Sequence, residues 1–259
     1  MVTDRIVTPT ELRDVYHNVC DRITTAAERS GRRSGDVLMV AVTKNASPDQ
    51  IRLLVEMGHA DLGESRVQQL AQRAPQMSEF LARKKTLARA VPKHAQPLPA
   101  EVRWHMVGHL QRNKVKPVAS LVKLIHSVDS LRLAEELHHF AARSDRTVDV
   151  LIQVNSAGET AKHGVAVPAV VHLAEQIATM IHLRFRGLMT MAPVFEAPEQ
   201  ARTVFARTAE IFHELRSEGI GGPECNILSM GMSDDFEIAI EEGANLVRIG
   251  RALFGDTEA

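Results

Sequence analysis

Val37-Leu38-Met39-Val40-Ala41-Val42-Thr43-Lys44 is an apolar run that ends in an amine. It reads as a strand covered on both faces, because such strands are continuous runs of Val, Ile and Leu rather than alternating ones. A lysine ringed by apolar walls at that strand end would lose hydration and favour its neutral form. It would then be a nucleophile able to form a Schiff base. The plainer alternative is a lysine that only reaches solvent. A second group of residues lies near the C-terminus. Ser229-Met230-Gly231-Met232-Ser233-Asp234-Asp235 places a glycine turn and a serine N-cap between a strand and a helix, and Val247-Arg248-Ile249-Gly250-Arg251 repeats the arrangement. Backbone N–H groups at such turns bind phosphate, and Ser233 can add its hydroxyl. Each motif alone is equally ordinary helix capping, with Asp234 and Asp235 favouring the helix dipole.

These groups need elements to position them. Thr8-Pro9-Thr10-Glu11 is a capping box with proline at the first helical position, and Leu12, Val15, Tyr16, Val19, Ile23 and Ala26 follow at helical spacing. Ser47-Pro48-Asp49-Gln50 opens another helix in the same way. Further strands are expected at Ala60–Glu64, Arg103–Leu110, Leu124–Val128, Val148–Asn155, Leu183–Met191, Asn226–Met230 and Leu246–Ile249. Helical periods lie between most of them, the clearest carrying Val204, Phe205, Thr208, Ile211, Phe212 and Leu215 on one face. Strand alternating with helix implies parallel strands, and the 259 residues match the ~250 of one (β/α)8 barrel. No GxGxxG follows the first strand, which argues against a dinucleotide-binding sheet. The expected architecture is therefore α/β, a single (β/α)8 TIM-type barrel over 1–259 with an extra N-terminal helix within 1–30. Chemistry in such a barrel sits at the C-terminal strand ends, where Lys44 and the two glycine turns fall.

Composition narrows the partners. The net charge of -1 gives no field to draw the chain to nucleic acid or membrane. Arg83, Lys84, Lys85, Arg89 and Lys93 form a basic stretch running into Pro92, Pro97 and Pro99. Without interleaved aromatics it reads as a basic helix end followed by a mobile surface insertion, placed at 75–101. Cys20 and Cys225 lie far apart with no CxxC, there is no signal-peptide core, and no apolar run can cross a bilayer, which together predict a cytoplasmic protein. No metal site is expected. His105 and His109, if both on a strand, would share a face about 13 Å apart, and the twelve histidines form no cluster with carboxylates or cysteines in the sequence.

An amine at the first strand and phosphate donors at the last two are the contacts that pyridoxal phosphate (PLP) requires. A cofactor-free Schiff-base aldolase acting on a sugar phosphate would need the same two. The motifs Ala41-Val42-Thr43-Lys44, Gly63-Glu64, Trp104-His105-Met106-Val107-Gly108-His109-Leu110-Gln111, Val150-Leu151-Ile152-Gln153-Val154-Asn155, Gly187-Leu188-Met189-Thr190-Met191, Leu228–Asp235 and Val247-Arg248-Ile249-Gly250 run in that order between Val37 and Gly255. On these residues the chain resembles the pyridoxal phosphate homeostasis family, once called the proline-synthetase co-transcribed proteins. The resemblance implies a barrel like the N-terminal domain of alanine racemase, with PLP held as an internal aldimine on Lys44. It implies phosphate contacts from Ser233, Gly250 and the residue at 251, and Arg248 facing the pyridine nitrogen. Met230 belongs to the same expected contact set, and His109 is placed near the ring. Where the family has Gly-Glu-Asn-Tyr this chain has Gly63-Glu64-Ser65-Arg66, so the asparagine contact becomes Ser65. Arg251 stands where the family has threonine. Its guanidinium either grips the phosphate bidentately or points away and leaves only its backbone N–H.

Arginine only donates hydrogen bonds, so an arginine on the pyridine nitrogen keeps that nitrogen unprotonated, and an unprotonated ring is a poor electron sink. A two-base racemase also needs a second acid/base, normally a tyrosine from an added β-domain. The only tyrosine here is Tyr16, upstream of the barrel, and the chain ends shortly after its last strand. The expectation is therefore a non-catalytic PLP carrier in intracellular PLP homeostasis. It would be a monomer or weak dimer, with apo-PLP enzymes as recipients. A PLP-dependent racemase or lyase is the first alternative and the sugar-phosphate aldolase the second.

Overall fold

The computed structural model describes residues 7–8, 10–90, 98–158 and 163–255. Its strands are β1 (Leu38–Val42), β2 (Asp61–Glu64), β3 (Arg103–Met106), β4 (Leu124–Val128), β5 (Val148–Asn155), β6 (Val165–Ala166), β7 (Leu183–Thr190), β8 (Ile227–Ser229) and β9 (Leu246–Ile249). The helices are α1 (Leu12–Arg29), α2 (Pro48–Glu56), α3 (Val67–Ala90), α4 (Val115–Ala119), α5 (Leu131–Arg143), α6 (Val170–Ala178), α7 (Arg202–Ser217), α8 (Phe236–Glu241) and α9 (Arg251–Phe254). Every strand pairing is parallel. The order β4-β3-β2-β1-β9-β8-β7-β5 is closed by a β4–β5 pairing, which makes an eight-stranded barrel. β6, which the hydrophobic pattern does not announce, extends the end of β5 through Val154↔Val165.

Alternation along each strand divides the core in two. Met39, Ala41, Leu62, Trp104, Met106, Ile125, Val247 and Ile249 face outward into a continuous apolar layer under the helices. Val40, Leu124, Leu151, Met189 and Leu246 form a separate cluster inside the barrel, filling it as side-chain layers fill barrels of this class. The predicted N-terminal helix is present as α1, tied to α8 by an Arg22–Glu237 ion pair of 2.8 Å. Both predicted capping boxes form: Thr8 N–H donates to Glu11 at 3.0 Å, and Ser47 N–H donates to Gln50 at 2.7 Å, each with a return bond.

Three boundaries differ from expectation. β1 ends at Val42, so Thr43 and Lys44 lie just beyond the ladder. β3 ends at Met106, which puts His109 on the following loop and removes the strand spacing assumed for His105 and His109. Of the segment 75–101, residues 75–90 continue α3 despite Pro75, and 91–97 lie outside the described residues, as does Pro9 of the first capping box. Cys20 and Cys225 are free thiols. Among the described residues no helix is long and apolar enough to cross a membrane.

Candidate cofactor site at the C-terminal mouth of the barrel

Lys44 sits at the mouth, and its neighbours rather than its own contacts fix it. Thr43 N–H donates to Gly63 O at 2.8 Å, and Thr43 Oγ1 lies 3.1 Å from both Gly63 O and Glu64 Oε2. Arg73, on α3, donates to Glu64 Oε2 at 2.6 Å, to Thr43 O at 2.5 Å and to Ala46 O at 3.0 Å. The backbone on both sides of Lys44 is therefore held by one guanidinium. Glu64 is fully buried, and its other oxygen accepts from the N–H groups of Ser65 and Arg66 at 2.8 and 3.2 Å. A buried carboxylate needs this degree of satisfaction. The Lys44 side chain is exposed. This matches the plainer alternative of a lysine that reaches solvent, with β1 ending two residues before it.

Arg248 lies inside the barrel, 4% exposed. It donates to Ser229 Oγ at 2.6 Å and to Thr190 O at 2.8 Å, which uses two of the five N–H groups a guanidinium carries. Burial lowers its pKa to about 10, opposed by the Asp235 carboxylate, so it stays protonated at neutral pH. Behind it runs a chain of buried polar contacts. Ser229 Oγ is 3.1 Å from His126 Nδ1, His126 Nε2 is 3.0 Å from His105 Nδ1, and His105 Nε2 is 3.1 Å from Asp61 Oδ1. Burial holds the His126 pKa well below the ordinary value, with His105 and Arg248 adding to the effect. Arg248, which only donates, stands at one end of this chain, and the Asp61 carboxylate, which only accepts, stands at the other.

Asp61 also accepts from Arg103 at 2.8 Å. Burial raises the Asp61 pKa, but the hydrogen bonds from His105 and Arg103 outweigh it and hold the carboxyl at about 2 against an ordinary 3.8. A depressed carboxylate stabilises the fold above its unfolded pKa, and the contribution disappears as pH falls through the folded value. Asp61 should thus contribute about 2 kcal/mol at neutral pH, lost between about pH 4 and about pH 2. Melting temperatures across that window should fall in the wild type and fall less steeply in Asp61→Asn. Parallel curves would refute the assignment.

The turns after β8 and β9 meet. Ser233, 6% exposed, accepts from Ala252 N–H at 3.0 Å, and Gly250 comes so close to β1 that a Cβ there would stand 3.3 Å from Val42 O. The Arg251 guanidinium pairs with Asp234, while its Nε is buried without a hydrogen-bond partner. Asp234 thus takes part of the Arg251 donor set, and the buried Nε keeps a donor free for another acceptor. The Met230 side chain is completely buried in the outer core, since it faces the helices and not the barrel interior. As a cofactor contact it can offer main chain only. Ser65 is partly buried beside Lys44's loop, with its carbonyl packed against Gly108. His109 turns to Asp129, with Nδ1 3.2 Å from Oδ2.

The mouth thus joins an amine, a buried donor-only cation and a cradle with spare donors. Residues 32–258 match the model of the alanine racemase N-terminal domain. The pyridoxal phosphate homeostasis protein of Aquifex aeolicus is 38% identical over 239 residues, covering 92% of this chain and 95% of that protein. This chain belongs to the pyridoxal phosphate homeostasis family. The family member of Escherichia coli K12 is 32% identical over 249 residues, covering 94% of this chain and 97% of that one. Among solved structures, PipY of Synechococcus elongatus with PLP bound superposes with a TM-score of 0.69 at 29% identity, over 92% of this chain and 100% of PipY. Alanine racemase of Clostridium difficile, at 13% identity, has a TM-score of 0.68, which extends the fold relationship beyond the homeostasis family. Sequence reasoning placed Lys44, Ser233, Arg248 and Gly250 at this mouth. It missed Arg73, whose helix carries no pattern pointing to a strand end, and His126, which lies within an otherwise ordinary strand.

Proposed function

We propose that this chain binds PLP at the barrel mouth and keeps it in reserve for PLP-dependent enzymes, without turning over amino acids itself. The observation that carries the reading is Arg248, buried at the inner wall and fixed on Ser229 and Thr190 with donors to spare. When bound, PLP supplies an aldehyde that captures primary amines reversibly and a ring that withdraws electrons only when its nitrogen is protonated. The residues present fit it. Lys44 offers the amine, Ser233 and the Gly250 turn line the phosphate cradle, and the unpartnered Nε of Arg251 is a donor lacking an acceptor. Arg248 would donate to the pyridine nitrogen. Arginine donates and does not accept, so the ring nitrogen in contact with it would be the acceptor and stay unprotonated.

The lone tyrosine supports the carrier reading over a racemase. Tyr16 lies 3.3 Å from His59 Nδ1, just before β2 and thus at the opposite end of the barrel from Lys44, and burial pushes its phenol upward. The family relationship places the sugar-phosphate aldolase last. We further infer a cytoplasmic monomer or weak dimer whose recipients are apo-PLP enzymes, in keeping with the free thiols and near-neutral charge.

Ser229→Ala tests the role of Arg248. It removes the acceptor of a charge-assisted hydrogen bond worth about 1.5–3 kcal/mol, so PLP affinity measured by fluorescence titration should fall about tenfold or more. Unchanged affinity would mean that Arg248 does not hold the ring.

A further inference from the structure

His109, Asp129 and His163 come from three adjacent rims of the barrel mouth: the loop after β3, the turn between β4 and α5, and the segment before β6. One ligand atom from each lies within 4.8 Å of the others. His109 Nδ1 is 3.2 Å and His163 Nδ1 3.9 Å from the same Asp129 Oδ2. The two imidazoles lie nearly parallel, with centroids 3.8 Å apart and planes at 9°. Both Nδ1 atoms lie on the same edge of the stacked pair, facing one carboxylate oxygen.

From this geometry we infer a binding site for a borderline divalent cation of the zinc class, independent of the PLP reading. A tetrahedral ion with bonds of ~2.0–2.1 Å sets its ligands about 3.4 Å apart. The His109–Asp129 separation is close to that distance, and binding would turn the stacked imidazoles apart so that both Nδ1 lone pairs converge on one ion. Two imidazoles and a carboxylate select zinc, cobalt, nickel or copper over magnesium and calcium, which require oxygen shells. Three protein ligands leave at least one position open to water or to an anionic group such as a carboxylate or phosphate.

The ligands are exposed to half-buried, yet the backbone beneath them is fixed. His163 O accepts from the buried Gln153 side chain at 3.1 Å. Gly164, at φ +130°, presses so closely on β5 that a Cβ would stand 2.9 Å from Asn155 N. Behind His109, Gly108 leaves no room for a Cβ against Ser65 O, at 2.3 Å. A bound ion would tie the three rims together on the side of the mouth away from β1.

Cobalt titration of chelator-treated full-length protein tests the inference, since Co2+ reports its coordination by visible absorption. The wild type should bind a single equivalent. Losing an outer partner of a ligand costs about 10–100-fold in affinity, so losing a ligand, as in His163→Ala or Asp129→Asn, should weaken binding about a hundredfold or more. His163→Ala should leave circular dichroism and PLP loading unchanged, which separates loss of the ion from loss of the fold or of the cofactor site. Absence of saturable Co2+ binding would overturn the proposal. So would His163→Ala protein binding with wild-type stoichiometry and affinity, because another histidine set would then hold the ion.

Discussion

Lys44→Ala should lose the visible band of PLP-loaded protein and release PLP on gel filtration, while its melting temperature without PLP stays near that of the wild type. The two halves of the result have separate physical origins. The Lys44 side chain is exposed and takes no part in the core, so its removal falls within the ~0.5 kcal/mol typical of surface substitutions. The band, in turn, depends on the covalent link to PLP that we propose for Lys44. Ser233, the Gly250 turn and Arg248 would still provide polar contacts, so weak, readily reversed binding should persist in equilibrium titration. A variant that kept the band would place the covalent bond on another lysine.

Arg73→Met should be the most destabilising single change near the site. It strips the cation from Glu64, which is fully buried, and frees the carbonyls of Thr43 and Ala46 on either side of Lys44. Breaking one side of a buried ion pair costs about 3–5 kcal/mol. At ~2–4 °C per kcal/mol for chains of this size, melting should fall by about 10 °C. The stranded carboxylate is the cause, so adding Glu64→Leu should recover part of the loss. PLP binding should weaken as well, because the strand end that aims Lys44 loses its anchor. A single variant as stable as the wild type would show that water replaces the guanidinium, and the clamp would then not position Lys44.

The fold was legible wherever local pattern decides it. The Leu124–Val128, Val148–Asn155 and Leu246–Ile249 strands fall where their apolar runs place them, Ser47 caps the start of α2, and the Thr8–Glu11 bonds close the turn that leads into α1. Strand ends were less legible. β1 stops at Val42, where its apolar run ends and two residues before Lys44, and β3 stops at Met106 although Val107 and Leu110 follow, because pairing ends where the barrel rim opens. The exposure of Lys44 and the loop position of His109 both follow from it. For Met230, composition shows that the residue is buried, and only the register shows that its side chain faces the helices, leaving its main chain for a cofactor contact.

Contacts across the barrel were not legible at all. Asp61, His105, His126, Ser229 and Arg248 come from five strands spread over most of the chain, and nothing local marks them as one chain of hydrogen bonds. The same holds for His109, Asp129 and His163, which no spacing rule connects. Barrel closure brings such residues together.

The most direct measurement is borohydride reduction of the PLP-loaded protein followed by peptide mass mapping. The account predicts a pyridoxyl group on the peptide carrying Lys44 and on no other. A label elsewhere, or none after saturation with PLP, would contradict a cofactor site built on this strand end.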